Sequence, residues 1–139
     1  MVFAPAHTPR PLAFRLAFWL YAAALFTLTH FPKLAPPPVD IPRPDLLIHF
    51  ACFGLWYILF YLTGYARDRC PPRAGLLRAW LIAAVYAAFD EALQLVPFIQ
   101  RHAAWDDYAA NLGGVTLGLL TVLVLSRWIP HRASQESSR

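Results

Sequence analysis

Four apolar runs, Leu16 to Phe31, Asp45 to Gly64, Ala79 to Phe98 and Asp107 to Trp128, constrain this chain more than any other feature. Each approaches the ~20 residues that a helix needs to cross a bilayer. With 58% hydrophobic and 14% charged residues in 139, the chain is too apolar for an ordinary soluble domain of its size. The expectation is an all-α membrane protein, one domain over residues 1–139, built as a bundle of four transmembrane helices at about 13–31, 45–64, 79–98 and 107–128. The first run is short, but Arg15 can snorkel and draw Leu12 to Phe14 into the membrane. A cleaved signal peptide is the rival reading; Thr29, His30, Phe31 and Pro32 stand where a small-residue cleavage site would follow, so a retained helix is expected.

The connectors fix the expected orientation. Pro32 to Pro44 holds six prolines and reads as a stiff extended loop. Tyr65 to Arg78 carries four arginines and the pair Pro71-Pro72, and reads as a short basic loop. The N-terminal segment, this loop and the tail from Arg127 hold nine of the 12 basic residues, which places both termini and the basic loop in the cytoplasm. Residues 130–139, polar and rich in Ser, read as a disordered cytoplasmic tail. Trp56, Tyr57 and Tyr61 fall where an aromatic belt would meet the interface. The formal charge of +4 does not point to nucleic acid, because the basic residues flank apolar segments instead of forming one accessible surface. Cys52 and Cys70 match neither a disulfide framework nor a metal spacing, so both are expected as free thiols.

Against this background the stretch from Asp90 to Gly118 stands out, with acids, amides and an arginine between two spanning runs. Ionisable groups are costly in lipid and mark a functional site by default. Asp90 to Gln94 and Asp107 to Asn111 are each one helical turn, so each pair shares a face. A rise of about 1.5 Å per residue puts His49, Gln94 and Asn111 roughly 6 Å, and Glu91 roughly 10 Å, beneath the outer surface from which Asp45 and Asp107 start their helices. Three helices then deliver polar groups to nearly one level, beneath a connector whose Arg101 can cover the mouth and offer a forked donor to phosphate or carboxylate. Of the neighbours Asp90 and Glu91, about 100° apart, one is expected to point fully inward, with Glu91 favoured by its spacing to Gln94 and Ala87. Asp107 is expected to cap the fourth helix, and Asp106 to be wet and dispensable.

Four uses of such a set remain open. It can be an interhelical packing network; a general base, drawn from Glu91, His49 and Asp107, acting on a lipid-linked substrate; a divalent-cation site; or a proton relay in a small carrier. No cofactor is otherwise expected. Ala110, Gly114 and Gly118 form a small-residue stripe suited either to a homodimer seam or to packing inside the protomer.

The order Asp90-Glu91-x-x-Gln94, Pro97, Arg101, Asp107, Asn111, Gly114, with Asp45-x-x-x-His49-Phe50 upstream, resembles the VanZ-like family of small bacterial membrane proteins. The family's Lys after the first Asp is replaced here by Leu46. The resemblance spans Asp45 to Gly118 and implies a bacterial inner-membrane protein linked to glycopeptide antibiotic resistance. Combined with the residue pattern, it leads to an expected outer-leaflet pocket for an anionic lipid or lipid-linked cell-wall intermediate. In that pocket Glu91, His49 and Asp107 are the candidates for chemistry, and Asp45, Asp90, Gln94, Arg101 and Asn111 those for binding.

Overall fold

A computed structural model describes residues 12–31, 42–67, 71–96 and 104–128. They form four helices, α1 (Leu12–His30), α2 (Pro44–Thr63), α3 (Pro72–Gln94) and α4 (Trp105–Trp128), with no strand among the described residues. Three of them, α1, α2 and α4, are long and apolar enough to cross a membrane, as in a multi-pass membrane protein. The exception, α3, carries Arg73, Arg78, Asp90 and Glu91. Cys70, Arg101, the proline-rich connector at 32–41 and the tail from residue 130 lie outside the described residues.

Turn chemistry moves the helix ends away from the expected ones. Pro72 occupies the first turn of α3 behind Pro71, where a missing N–H costs nothing and the fixed φ suits a helix. The proline pair thus starts α3 seven residues before the expected Ala79, and Arg73 and Arg78 belong to the helix, not to a loop. At the other end α3 stops at Gln94, short of Phe98, with Leu95 and Val96 N–H closing onto Ala92 and Leu93 carbonyls. Val96 precedes Pro97, a position that disfavours helix. Helix α2 opens after Arg43 in the left-handed region (φ 54°) and closes at Gly64 (φ 86°), whose N–H reaches the Tyr61 carbonyl.

The closest approach is between α2 and α4. A Cβ added at Gly114 would run into the Phe50 carbonyl, and one at Gly118 would stand 2.8 Å from the Gly54 carbonyl oxygen. The small-residue stripe of α4 is therefore its contact with α2, so Gly114 and Gly118 present no open face to a second copy. Helix α1 leans on α2 through Phe18, whose ring centroid is 5.2 Å from that of Trp56 and 5.3 Å from that of Phe60. Trp56, Tyr57 and Tyr61 are buried in the interior and form no interfacial belt. Trp56 stacks on Tyr86 at 4.9 Å, and the Tyr57 hydroxyl donates to the Leu76 carbonyl at 3.2 Å. Outward faces are apolar: Leu77, Leu81, Val85 and Phe89 of α3 and Leu117, Leu120 and Val124 of α4 are exposed. Polar groups inside and leucines outside invert the pattern of a soluble bundle.

Candidate functional site

The end of α1, the start of α2, the end of α3 and the start of α4 come together at one end of the bundle, as their contacts below require. Asn111 of α4 is the hinge of the arrangement and is fully buried. Its amide nitrogen donates to Glu91 Oε1 at 3.2 Å, and its oxygen lies 3.1 Å from His49 Nδ1. Since the nitrogen faces a carboxylate, the oxygen is left to accept, and His49 carries its proton on Nδ1 in this arrangement. His49 Nδ1 is also 3.9 Å from Glu91 Oε1. Asp107, one turn before Asn111, completes the group: one donor atom each from His49, Glu91 and Asp107 lies within 4.8 Å of the others. Glu91 Oε2 and Asp107 Oδ1 are buried, and neither has a hydrogen-bond partner among the described residues.

Asp90 faces a different neighbour. Thr29 Oγ1 of α1 donates to Asp90 Oδ1 at 3.0 Å, Gln94 Nε2 donates to Oδ2 at 3.5 Å, and His30 Nδ1 lies 3.8 Å away. The expectation that one of Asp90 and Glu91 points inward is corrected. Both are buried, because α3 is flanked by α1 on one side and by α2 and α4 on the other, and an offset of about 100° serves both. His30 Nδ1 lies 2.8 Å from the Phe26 carbonyl, which only accepts, so Nδ1 bears a proton there, and the buried Nε2 has no hydrogen-bond partner among the described residues.

Of the expected residues, His49, Glu91, Asp107 and Asn111 are thus brought together, and Asp90 and Gln94 of α3 form an adjoining group with Thr29 and His30 of α1. Asp45 stands apart: its side chain is partly exposed and paired with Arg43 at 3.4 Å. Arg101 lies outside the described residues. Asp106 is exposed as expected, but Arg43 Nη2 reaches its Oδ2 at 2.5 Å, joining the starts of α2 and α4. The Asp106 and Asp45 carboxylates hold the Arg43 guanidinium more firmly protonated than usual. The helix-capping role expected of Asp107 is corrected as well, since α4 starts at Trp105 and the Asp107 N–H donates to Asp106 Oδ1 at 3.2 Å. Thr29, His30 and Arg43 are the residues that sequence reasoning passed over. His30 is the ionisable residue of the first apolar run after Arg15, so the lipid-cost rule that singled out Asp90 also applied to it.

Beside the cluster is a cavity of about 500 Å³, lined by Ala88, Ala92, Leu95, Trp105, Tyr108 and Glu91. Its walls are mostly apolar, with the Glu91 carboxylate as the acid among the described lining residues. Comparison with protein-family models, with curated proteins and with solved structures found no match for this chain.

Proposed function

We propose that this chain is a four-span protein of the bacterial inner membrane, both termini cytoplasmic, that binds or acts on a lipid or lipid-linked cell-wall intermediate at the buried cluster. The observation that carries this reading is that Glu91 belongs both to the polar cluster and to the wall of the apolar cavity. A site polar on one side and apolar along the rest suits an amphiphile. The fourth crossing is supported by α3 itself. Its 23 residues give about 34 Å of length, its acids are buried, and Leu77, Leu81, Val85 and Phe89 line its outer face at four-residue steps. The positive-inside count puts the cluster beneath the outer surface, at head-group level. There Arg101, in the adjoining connector, has the chemistry to receive an anionic head group. The VanZ-like motifs add an expected role in glycopeptide tolerance.

The test is to fill the cavity while leaving every polar residue in place. Ala92→Phe, purified in mild detergent, should lose most of the lipid that native mass spectrometry detects on the wild type, and Arg101→Ala should lose anionic lipid selectively. Equal lipid retention in all three would sink the reading. The competing reading is a noncatalytic packing network, favoured by the way Asn111 bridges α2, α3 and α4. It predicts that cluster variants lose stability with no change in bound lipid.

A further inference from the structure

We propose that His49, Glu91 and Asp107 together bind one divalent transition-metal cation, with zinc and manganese as the fitting ions. The inference rests on the reading of this cluster as a ligand site, and it names the ion that would make the site accept an anionic head group.

Three observations converge. First, the donors come from three helices, α2, α3 and α4, and their atoms lie within 4.8 Å of one another. Metal–ligand distances of about 2.0–2.2 Å put atoms on opposite sides of an ion some 4.2 Å apart, and tetrahedral neighbours closer. Closure by about 1 Å therefore makes a site, a movement within the reach of side-chain rotation.

Second, the cluster contains unused acceptors where packing would leave none. Glu91 is 6% exposed and its Oε1 takes the Asn111 amide, yet its buried Oε2 has no partner at full hydrogen-bond geometry among the described residues, the Ala104 N–H being the backbone donor near this carboxylate; Asp107 Oδ1 is likewise buried without a partner among them. An unmatched carboxylate oxygen away from water costs more than a neutral group left in the same state. A packing network gains nothing from two of them side by side. A cation gains both.

Third, the charge does not balance. Two carboxylates meet one imidazole, and among the described residues no lysine or arginine forms an ion pair with Glu91 or Asp107. Arg43, the nearby cation, is engaged by Asp45 and Asp106 at the exposed edge. One divalent ion cancels the two negative charges. The donor set of one nitrogen and two carboxylate oxygens suits zinc or manganese better than calcium, which takes all-oxygen sites. Three protein ligands leave a coordination position open, the pattern of sites that bind an exchangeable group. Asn111 supports the set from behind: its amide oxygen accepts from the imidazole N–H that does not hold the ion, and its nitrogen donates to Glu91 Oε1.

The experiment uses the full chain in detergent with any affinity tag removed. Zn²⁺ or Mn²⁺ is titrated by calorimetry, and bound metal is counted by elemental mass spectrometry after dialysis. We expect saturable binding of one ion per chain. Glu91→Gln and Asp107→Asn should each weaken binding at least about 100-fold, since even outer-shell changes cost 10- to 100-fold. Asp106→Asn, exposed and outside the set, should bind as the wild type does. Circular dichroism and elution volume identify variants that fold, and Asp107→Asn at the partly buried position carries the test if Glu91→Gln does not. Absence of saturable binding of either ion by the wild type overturns the proposal, as does wild-type affinity in both Glu91→Gln and Asp107→Asn. The cavity variant Ala92→Phe keeps all three ligands, so it should bind the ion normally whatever its lipid content. The lipid reading can thus fail while the cation site stands.

Discussion

Asn111 and Glu91, on helices that run antiparallel, meet through an amide-to-carboxylate hydrogen bond of 3.2 Å in a region closed to solvent. The other end of the same amide faces His49 at 3.1 Å, so one side chain ties α4 to both α2 and α3. Removing it strands two buried polar groups at once. Asn111→Leu, close in volume but without the amide, should destabilise the protein by about 3 kcal/mol. Thermal unfolding in detergent measures this, and a shift within error of the wild type would mean that Glu91 and His49 do not depend on the bridge.

Gly114 decides how closely α2 and α4 approach. A methyl group there meets the Phe50 backbone carbonyl, which cannot rotate away, whereas one at Gly113 meets the edge of the Phe50 ring, which can. Gly114→Ala should therefore cost about 1–3 kcal/mol and Gly113→Ala distinctly less. Paired melting curves give the comparison, and equal losses would argue against backbone contact as the cause.

Helix α1 is held at this end by Thr29, the donor to fully buried Asp90. Thr29→Val preserves shape and deletes the donor, so a loss of about 1–2 kcal/mol is expected. In a double-mutant cycle with Asp90→Asn the combined loss should be smaller than the sum of the two, because both substitutions break the Thr29 contact, while Gln94 and His30 report on Asp90 alone. Additivity would show that the Thr29 contact contributes nothing to Asp90.

Arg43 stands at φ 54°, a left-handed conformation that residues with a Cβ adopt at a cost. Its pairs with Asp106 and Asp45 are exposed and open to salt screening. Arg43→Gly relieves the backbone and Arg43→Ala does not, so the glycine variant should melt a few degrees above the alanine variant. At high salt the wild type should fall toward the alanine variant, which shares its strained backbone and lacks the ion pairs.

The proposed orientation puts Cys70 in the cytoplasm. On a Cys52→Ala background, a membrane-impermeant maleimide should label Cys70 after lysis and leave it unlabelled in intact cells. Labelling without lysis would reverse the topology.

That α1, α2 and α4 are long and apolar enough to span a membrane was legible in the sequence, because a mostly apolar run of about twenty residues has one low-cost solution in lipid whatever surrounds it. The positions of the acids were legible for the same reason: a charge in such a run is conspicuous against its neighbours. Periodicity also placed Asp107 and Asn111 on one face, since one turn of helix is local geometry. Pairing was not legible. Whether Asp90 and Glu91 share one neighbour or divide between α1 and the α2–α4 pair depends on how four helices surround α3, and no spacing along α3 encodes that. The roles of Thr29 and Arg43 follow from contacts 61 and 63 residues away in the chain. Trp56 shows the same limit from the other side. An aromatic residue near a helix end suits an interface or a core equally well, and only the packing of Phe18, Phe60 and Tyr86 around it puts it inside. Local sequence determined which segments become helices and which faces carry charge, because those depend on neighbours within a turn. The tertiary structure decided which charges meet, because that depends on helices brought together from distant parts of the chain.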